Sequence, residues 1–299
     1  MYSYFIGGAA RHHAVPLFSM NRKRWQRAPP RGEKLQWTDK NVFPAARNQK
    51  SCGACYAMTT ADLLAAQSKI ESKNYDTPVK PLSAQYLVDC SAEPDAFKCE
   101  GGRPINILNR LAKCQQVGTP CMLPAEDCYP YTAANNICND NCTRELIEPI
   151  PFPLPNLAFY LAWKNPCRIN DAEILDVRGP REMDVMATLL QWGPVIAIVG
   201  VTEVWQFYNG TGVVRPRQCS TDLAHAVLVT GYDYTTCVPT YTVRNSWGQD
   251  WGGNGYLKLE AGKNTCGVAQ SVVYACSTRC GSGGSLFDFV AQNPNFPEC

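Results

Sequence analysis

The chain has 299 residues, 45% of them hydrophobic and 18% charged, with a net charge of +2 at neutral pH. That balance builds a sizeable core and excludes a disordered chain. Lys and Arg form no basic stripe, which removes nucleic acid as a partner, and no run of ~18 apolar residues exists to span a membrane.

Cysteine is the unusual component, with 16 residues spread along the chain. Cys52 and Cys55 form the one Cys-x-x-Cys pair, and only three histidines are present, so a zinc cluster is not expected. The cysteines are read as a disulfide framework from an oxidising compartment. Two Asn-x-Thr triplets, at Asn141 and Asn209, are glycosylation candidates that agree with this. Residues 1–10 are too short and too polar for a secretory signal peptide.

Residues 1–31 carry Arg22-Lys23-Arg24, end on Pro29-Pro30 and lack periodicity. They read as an extension or pro-segment remnant. From Cys55 to about Lys73 apolar residues recur at helical spacing, through Met58, Ala61, Leu64 and Ala65. Short helices are expected at Ser83–Asp89, with Ser83 as cap, and at Pro104–Lys113. Residues 114–142 read as a Cys-rich, stapled loop. Residues 143–181 hold six prolines and few helix signals. Glu182–Trp192 reads as a helix with Met183, Met186, Leu189 and Leu190 inward. Strand signals follow at Val195–Val201, Ala226–Thr230, around Tyr241–Asn245 and around Tyr256–Leu259. Residues 276–299 form a Gly/Ser-rich tail with three cysteines. Helices first and strands later predict an α+β protein of two lobes, with no internal repeats.

The chemistry concentrates in Gln49-Lys50-Ser51-Cys52-Gly53-Ala54-Cys55-Tyr56. C-G-[SA]-C-[WY] is the local signature of a papain-type nucleophile. Cys55 opens the expected helix, where N–H groups and the helix dipole favour a thiolate. Gln49 is positioned in sequence to donate to an oxyanion together with the Cys55 N–H. His225 is the one histidine outside the extension, so it is the candidate base. Asn245, in Val243-Arg244-Asn245-Ser246-Trp247-Gly248, can accept the ring N–H of His225 and fix its orientation. Trp247 can screen that bond from water.

These blocks resemble the papain family of cysteine peptidases over about Leu35 to Tyr274, in the manner of a cathepsin L- or X-like member. Leu87-Val88-Asp89-Cys90, Cys99-Glu100-Gly101-Gly102, Gly193-Pro194-Val195 and Cys266-Gly267-Val268-Ala269 add to the match. The resemblance implies a helical lobe over about 45–142 and a β-barrel-like lobe over about 143–275, within a peptidase domain at 32–275, with the cleft between them. It implies disulfides Cys52–Cys99, Cys90–Cys138 and Cys219–Cys266. It places Gly101, Gly102, Trp247 and Ser271 along the substrate cleft, with Ser271 in a pocket that favours an apolar residue. It implies proteins or peptides as substrates, protein inhibitors as partners, a monomer unless an odd cysteine pairs elsewhere, no cofactor or metal, and a lysosomal, vacuolar or secreted setting.

Three departures stand out: Tyr56 for the usual Trp, Glu100 for Asn, and 170 residues between Cys55 and His225 where ~130–150 are usual. No His lies in residues 114–181, so endopeptidase is preferred to exopeptidase. Two other readings remain at this level: a zymogen with residues 1–31 in the cleft, and a catalytically silent papain-fold interaction protein. Removing Cys55 leaves fifteen cysteines, and nine stay unassigned by the resemblance.

Overall fold

The computed structural model describes residues 15–16, 32–91, 96–108, 123–139, 141–142, 174–220 and 222–274. The expectations for the tail at 276–299 and for nearly all of residues 1–31 lie outside these residues. So do six cysteines: Cys114, Cys121, Cys167, Cys276, Cys280 and Cys299.

In chain order the regular elements are β1 (Val15–Pro16), β2 (Lys34–Gln36), α1 (Cys55–Ser72), α2 (Ala84–Cys90), β3 (Ile174–Asp176), α3 (Glu182–Leu190), β4 (Val195–Val199), α4 (Glu203–Gln206), β5 (His225–Asp233), β6 (Thr240–Arg244), β7 (Tyr256–Glu260) and β8 (Val272–Val273). Residues 104–108 are also helical. The sheet runs β1-β3-β8-β4-β5-β6-β7, with β2 added to β5. All pairings are antiparallel except β1 with β3. Helices α1 and α2 come before most of this largely antiparallel sheet, the α+β arrangement expected from the sequence.

The apolar runs of β4 and β5 have a physical reason. Strand side chains alternate between faces. Val195, Ala197, Val199, Val227 and Val229 join the core of the sheet lobe. Ile196, Ala226 and Leu228 instead join a second core with α1 and α2. Both faces of these strands are covered, so both need apolar side chains, each worth ~1.5–3 kcal/mol when fully buried. Gly231 in β5 lets β2 approach: a Cβ there would stand 2.3 Å from the Leu35 carbonyl oxygen.

α1 differs from the one-sided pattern read in sequence. Thr59, Thr60, Asp62, Gln67 and Lys69 are buried along with Met58, Ala61, Leu64 and Ala65. The helix lies between α2 and the sheet, so its polar side has no access to water. Thr59 and Thr60 instead donate to carbonyls of the preceding turn at 2.8 Å.

Ser83 caps α2, its Oγ accepting from Tyr86 N–H. α3 buries Met186, Leu189 and Leu190, while Met183 stays half-buried against the same core. Five short pieces, β1, β2, β3, α4 and β8, carry no periodic signal in the sequence, because each is only two to four residues long. Disulfides join Cys52–Cys99, Cys90–Cys138, Cys219–Cys266 and also Cys128–Cys142. Cys55 is a buried free thiol and Cys237 an exposed one. No described helix is long and apolar enough to cross a membrane.

Candidate active site

Cys55 is the first residue of α1 and is 3% exposed. His225 is the first residue of β5 and is 1% exposed. The packing of α1 on β5 brings these two element ends together. Desolvation by burial pushes the Cys55 thiol up, and the backbone N–H groups of Ala226, Tyr56 and Cys55 offset this only in part. The nearness of the Ala226 N–H places the thiol beside the start of β5.

Asn245 follows the last residue of β6 and is 3% exposed. Its Oδ1 accepts a hydrogen bond from the Ser246 N–H (2.8 Å), which identifies that atom as the oxygen. His225 Nε2 lies 2.8 Å from the same oxygen. Nε2 therefore carries the hydrogen, and Nδ1 is the nitrogen that can take a proton from a thiol. Burial lowers the His225 pKa to about 4, opposed by the Asn245 hydrogen bond. The Trp247 ring lies over His225 with centroids 5.3 Å apart, and Trp251 meets Trp247 edge-on at 5.1 Å. Trp251 is held in turn by its Nε1–H, which donates to the Trp205 carbonyl (2.8 Å).

Gln49 is fully buried and belongs to the same network. Its Oε1 accepts from Ser246 Oγ (2.6 Å), and its Nε2 donates to the Cys52 carbonyl (3.0 Å). One amide N–H remains for a second acceptor. Backbone bonds from Gln49 N–H to Ser246 O (2.9 Å) and from Gly248 N–H to Arg47 O (2.8 Å) tie the segment before the nucleophile to the segment after Asn245.

The wall beside Cys55 is built by Cys99–Gly102. Gly53 N–H donates to Cys99 O (2.8 Å), next to the Cys52–Cys99 bridge. Gly102 rests on the Tyr56 ring, where a Cβ would come within 2.8 Å of ring carbons. Gly101 adopts φ 119°, a conformation that favours glycine. The Tyr56 hydroxyl donates to Lys98 O (3.0 Å), so the ring that replaces Trp anchors this wall by its polar end. Ser271 stands one residue before β8, half-buried, its carbonyl accepting from Ile198 N–H (3.1 Å). Asn141 and Asn209 are both exposed.

Two residues of the site escaped sequence reasoning. Ser246 bridges Gln49 to the Asn245 segment. Tyr131 donates from its hydroxyl to Gln49 O (2.8 Å). Ser246 lay inside the Val243–Gly248 block, but neither residue had a partner visible along the chain.

A buried imidazole held near 4 and a buried thiol held high share one cause: either charge alone is unwelcome in this dry site. The two charges formed together compensate one another. Replacing Cys55 with Ala should therefore leave His225 titrating near 4, well below its ordinary value of 6.5. The folded state then binds fewer protons than the unfolded one between those values. Stability of Cys55→Ala should be full above ~6.5 and fall by ~3 kcal/mol as pH drops towards 4. Urea unfolding across that range measures it, and a flat profile would refute the account.

The arrangement agrees with what the chain is similar to. A family model described as papain family cysteine protease matches residues 31–276. Human cathepsin O is 33% identical over 240 residues, covering 80% of this chain and 64% of that protein. The oryzain gamma chain of Oryza sativa subsp. japonica is 31% identical over 271 residues, covering 89% and 65%. The solved procathepsin L2 proteinase from Tenebrio molitor larval midgut superposes with a TM-score of 0.63 at 25% identity, covering 84% of this chain and 69% of that one. This chain thus spans just under two thirds of the length of these two curated relatives. With that match over most of its residues, the chain belongs to the papain family of cysteine proteases.

Proposed function

We propose that this protein hydrolyses peptide bonds as a cysteine endopeptidase. The observation that carries the reading is the buried line from Gln49 through Ser246 and Asn245 to His225, set beside the free thiol of Cys55. His225 Nδ1 takes the thiol proton, and the Cys55 thiolate attacks the substrate carbonyl. The Cys55 N–H and the remaining Gln49 amide N–H receive the oxyanion. His225 returns the proton to the leaving amine, and a thioester remains on Cys55. Water then attacks the thioester, losing a proton to His225, and the released thiol is reprotonated.

Gly101 and Gly102 present backbone to the substrate, and Trp247 walls the leaving-group side. Ser271 closes a pocket for an apolar side chain. The endopeptidase reading rests on residues 114–181, which contain no histidine to grip a terminal carboxylate. Proteins and peptides are the substrates, and protein inhibitors that fill the cleft are the expected partners. The four disulfides among the described residues and the exposed Asn141 and Asn209 support a lysosomal, vacuolar or secreted setting.

The test is labelling with an epoxysuccinyl peptide at mildly acidic pH, read by peptide mass spectrometry. One adduct on Cys55 is expected, together with internal cleavage of a peptide blocked at both ends. Labelling without turnover of the blocked peptide would remove the endopeptidase assignment. No labelling and no turnover, with or without residues 1–31, would leave a catalytically silent interaction protein.

A further inference from the structure

The described residues bury a second polar cluster, two helical turns from the nucleophile, that the mechanism above does not use. Asp62 lies seven residues after Cys55 on α1, and so on the same helix face, ~10 Å along the axis. Two arginines reach it. Arg244 Nε donates to Asp62 Oδ2 (2.8 Å), and Arg47 Nη2 stands 2.9 Å from Asp62 Oδ1. The Arg47 approach is a charge contact, poorly angled for a hydrogen bond. Side-chain exposures are 2% for Arg244, 7% for Arg47 and 8% for Asp62.

Both arginines sit beside residues of the proposed machinery. Arg244 immediately precedes Asn245, and Arg47 stands two residues before Gln49. Arg244 spends its other nitrogens on the Tyr256 hydroxyl (2.8 Å) and the Ala45 carbonyl (2.9 Å). It thereby ties β6 to β7 and to the strand of chain that leads into Gln49. Arg47 Nη1 binds the Leu82 carbonyl (2.7 Å) and Glu126 (2.8 Å), which anchors it to the helical lobe. Two positive and two negative groups make the cluster neutral.

We infer that Asp62, Arg47 and Arg244 are positioning residues: one carboxylate on the nucleophile helix holds the Gln49 and Asn245 segments in register with Cys55. Three pieces of chain, from three parts of the sequence, meet at one anion. No member touches the reacting atoms. A shift of one segment against α1 would misplace the His225 imidazole or the oxyanion donor relative to the sulfur, and such shifts are costly in rate. Arginine suits the role because its planar fork fixes direction as well as charge. The inference rests on the peptidase reading of the same site.

The test uses the full chain with Arg244→Lys, Arg47→Lys and Asp62→Asn. The lysine variants keep the charge and lose the fork. Three readouts separate positioning from bulk stability: kcat and KM on a blocked peptide, the pH profile of Cys55 alkylation by iodoacetamide, and the urea midpoint. Arg244→Lys is expected to lower kcat about 10- to 100-fold with little change in KM, and to displace the acid limb of the alkylation profile. Arg47→Lys should act in the same direction. Unchanged kcat and an unchanged alkylation profile, with only a lower urea midpoint, would overturn the proposal. Failure of all three variants to fold would overturn it too, since the cluster would then serve stability. Wild-type protein that neither alkylates selectively at Cys55 nor turns over counts against the peptidase reading and takes this inference with it. Active wild type with unaffected variants removes the positioning role alone.

Discussion

His225→Ala is expected to lower kcat for peptide hydrolysis by about 10⁴- to 10⁶-fold, the range seen when a nucleophile loses its base. The argument is electrostatic. The Cys55 thiol is pushed up by burial, and backbone N–H groups offset this only in part. Without an imidazole to accept its proton, almost none of it ionises at neutral pH. The alkylation rate of Cys55 should fall along with kcat, whereas KM should move little, because His225 binds no part of the substrate that stays unreacted. The substitution strands no acceptor: Asn245 Oδ1 keeps the Ser246 N–H. Stopped-flow alkylation and steady-state kinetics on folded protein check this. A loss below ~100-fold would mean that another group serves as base.

The largest stability effect is expected at Glu182, far from the cleft. Glu182 opens α3 and is 1% exposed. Its Oε1 accepts from Tyr241 Oη (3.1 Å) and Gly262 N–H (2.9 Å), and its Oε2 accepts from Asn264 N–H (2.6 Å). Alanine there leaves the buried Tyr241 hydroxyl without this acceptor, at roughly 1–3 kcal/mol, and frees the part-buried Gly262 and Asn264 N–H groups at a smaller cost because water can reach them. A loss of about 2–4 kcal/mol is expected by urea denaturation. Glu182→Gln, which keeps one oxygen, should lose less.

A pH signature accompanies the stability change. Desolvation raises the Glu182 pKa above the ordinary 4.5 despite the three donors. The wild type therefore has its favourable contribution from this carboxyl below ~4.5 and loses it as pH rises through the raised value. Glu182→Ala should flatten that part of the profile. A loss under ~1 kcal/mol would show that water replaces the carboxylate at no cost.

The sequence alone determined those features whose cause is local. The Cys52-Gly53-Ala54-Cys55 block specifies a helix start with a thiol at its first position. Ser83 caps the next helix through a bond spanning three residues. The apolar runs of β4 and β5 announce strands covered on both faces. The scarcity of histidine named His225 by elimination, and Asn245 came with its own block.

Tertiary structure decided what depends on partners distant along the chain. Asp62 reads as the polar side of an amphipathic helix until Arg244, 182 residues later, folds against it. Glu182 reads as an ordinary first-turn carboxylate until the loop at Gly262–Asn264 closes over it. Ser246 and Tyr131 were silent until they met Gln49, and the Cys128–Cys142 pairing could not be chosen from among the unassigned cysteines. The reason is physical. Hydrophobic periodicity and capping act over a few residues and leave a pattern in the chain. A buried charge or amide survives only where the fold delivers a partner, and that delivery is a property of the packed lobes rather than of any segment.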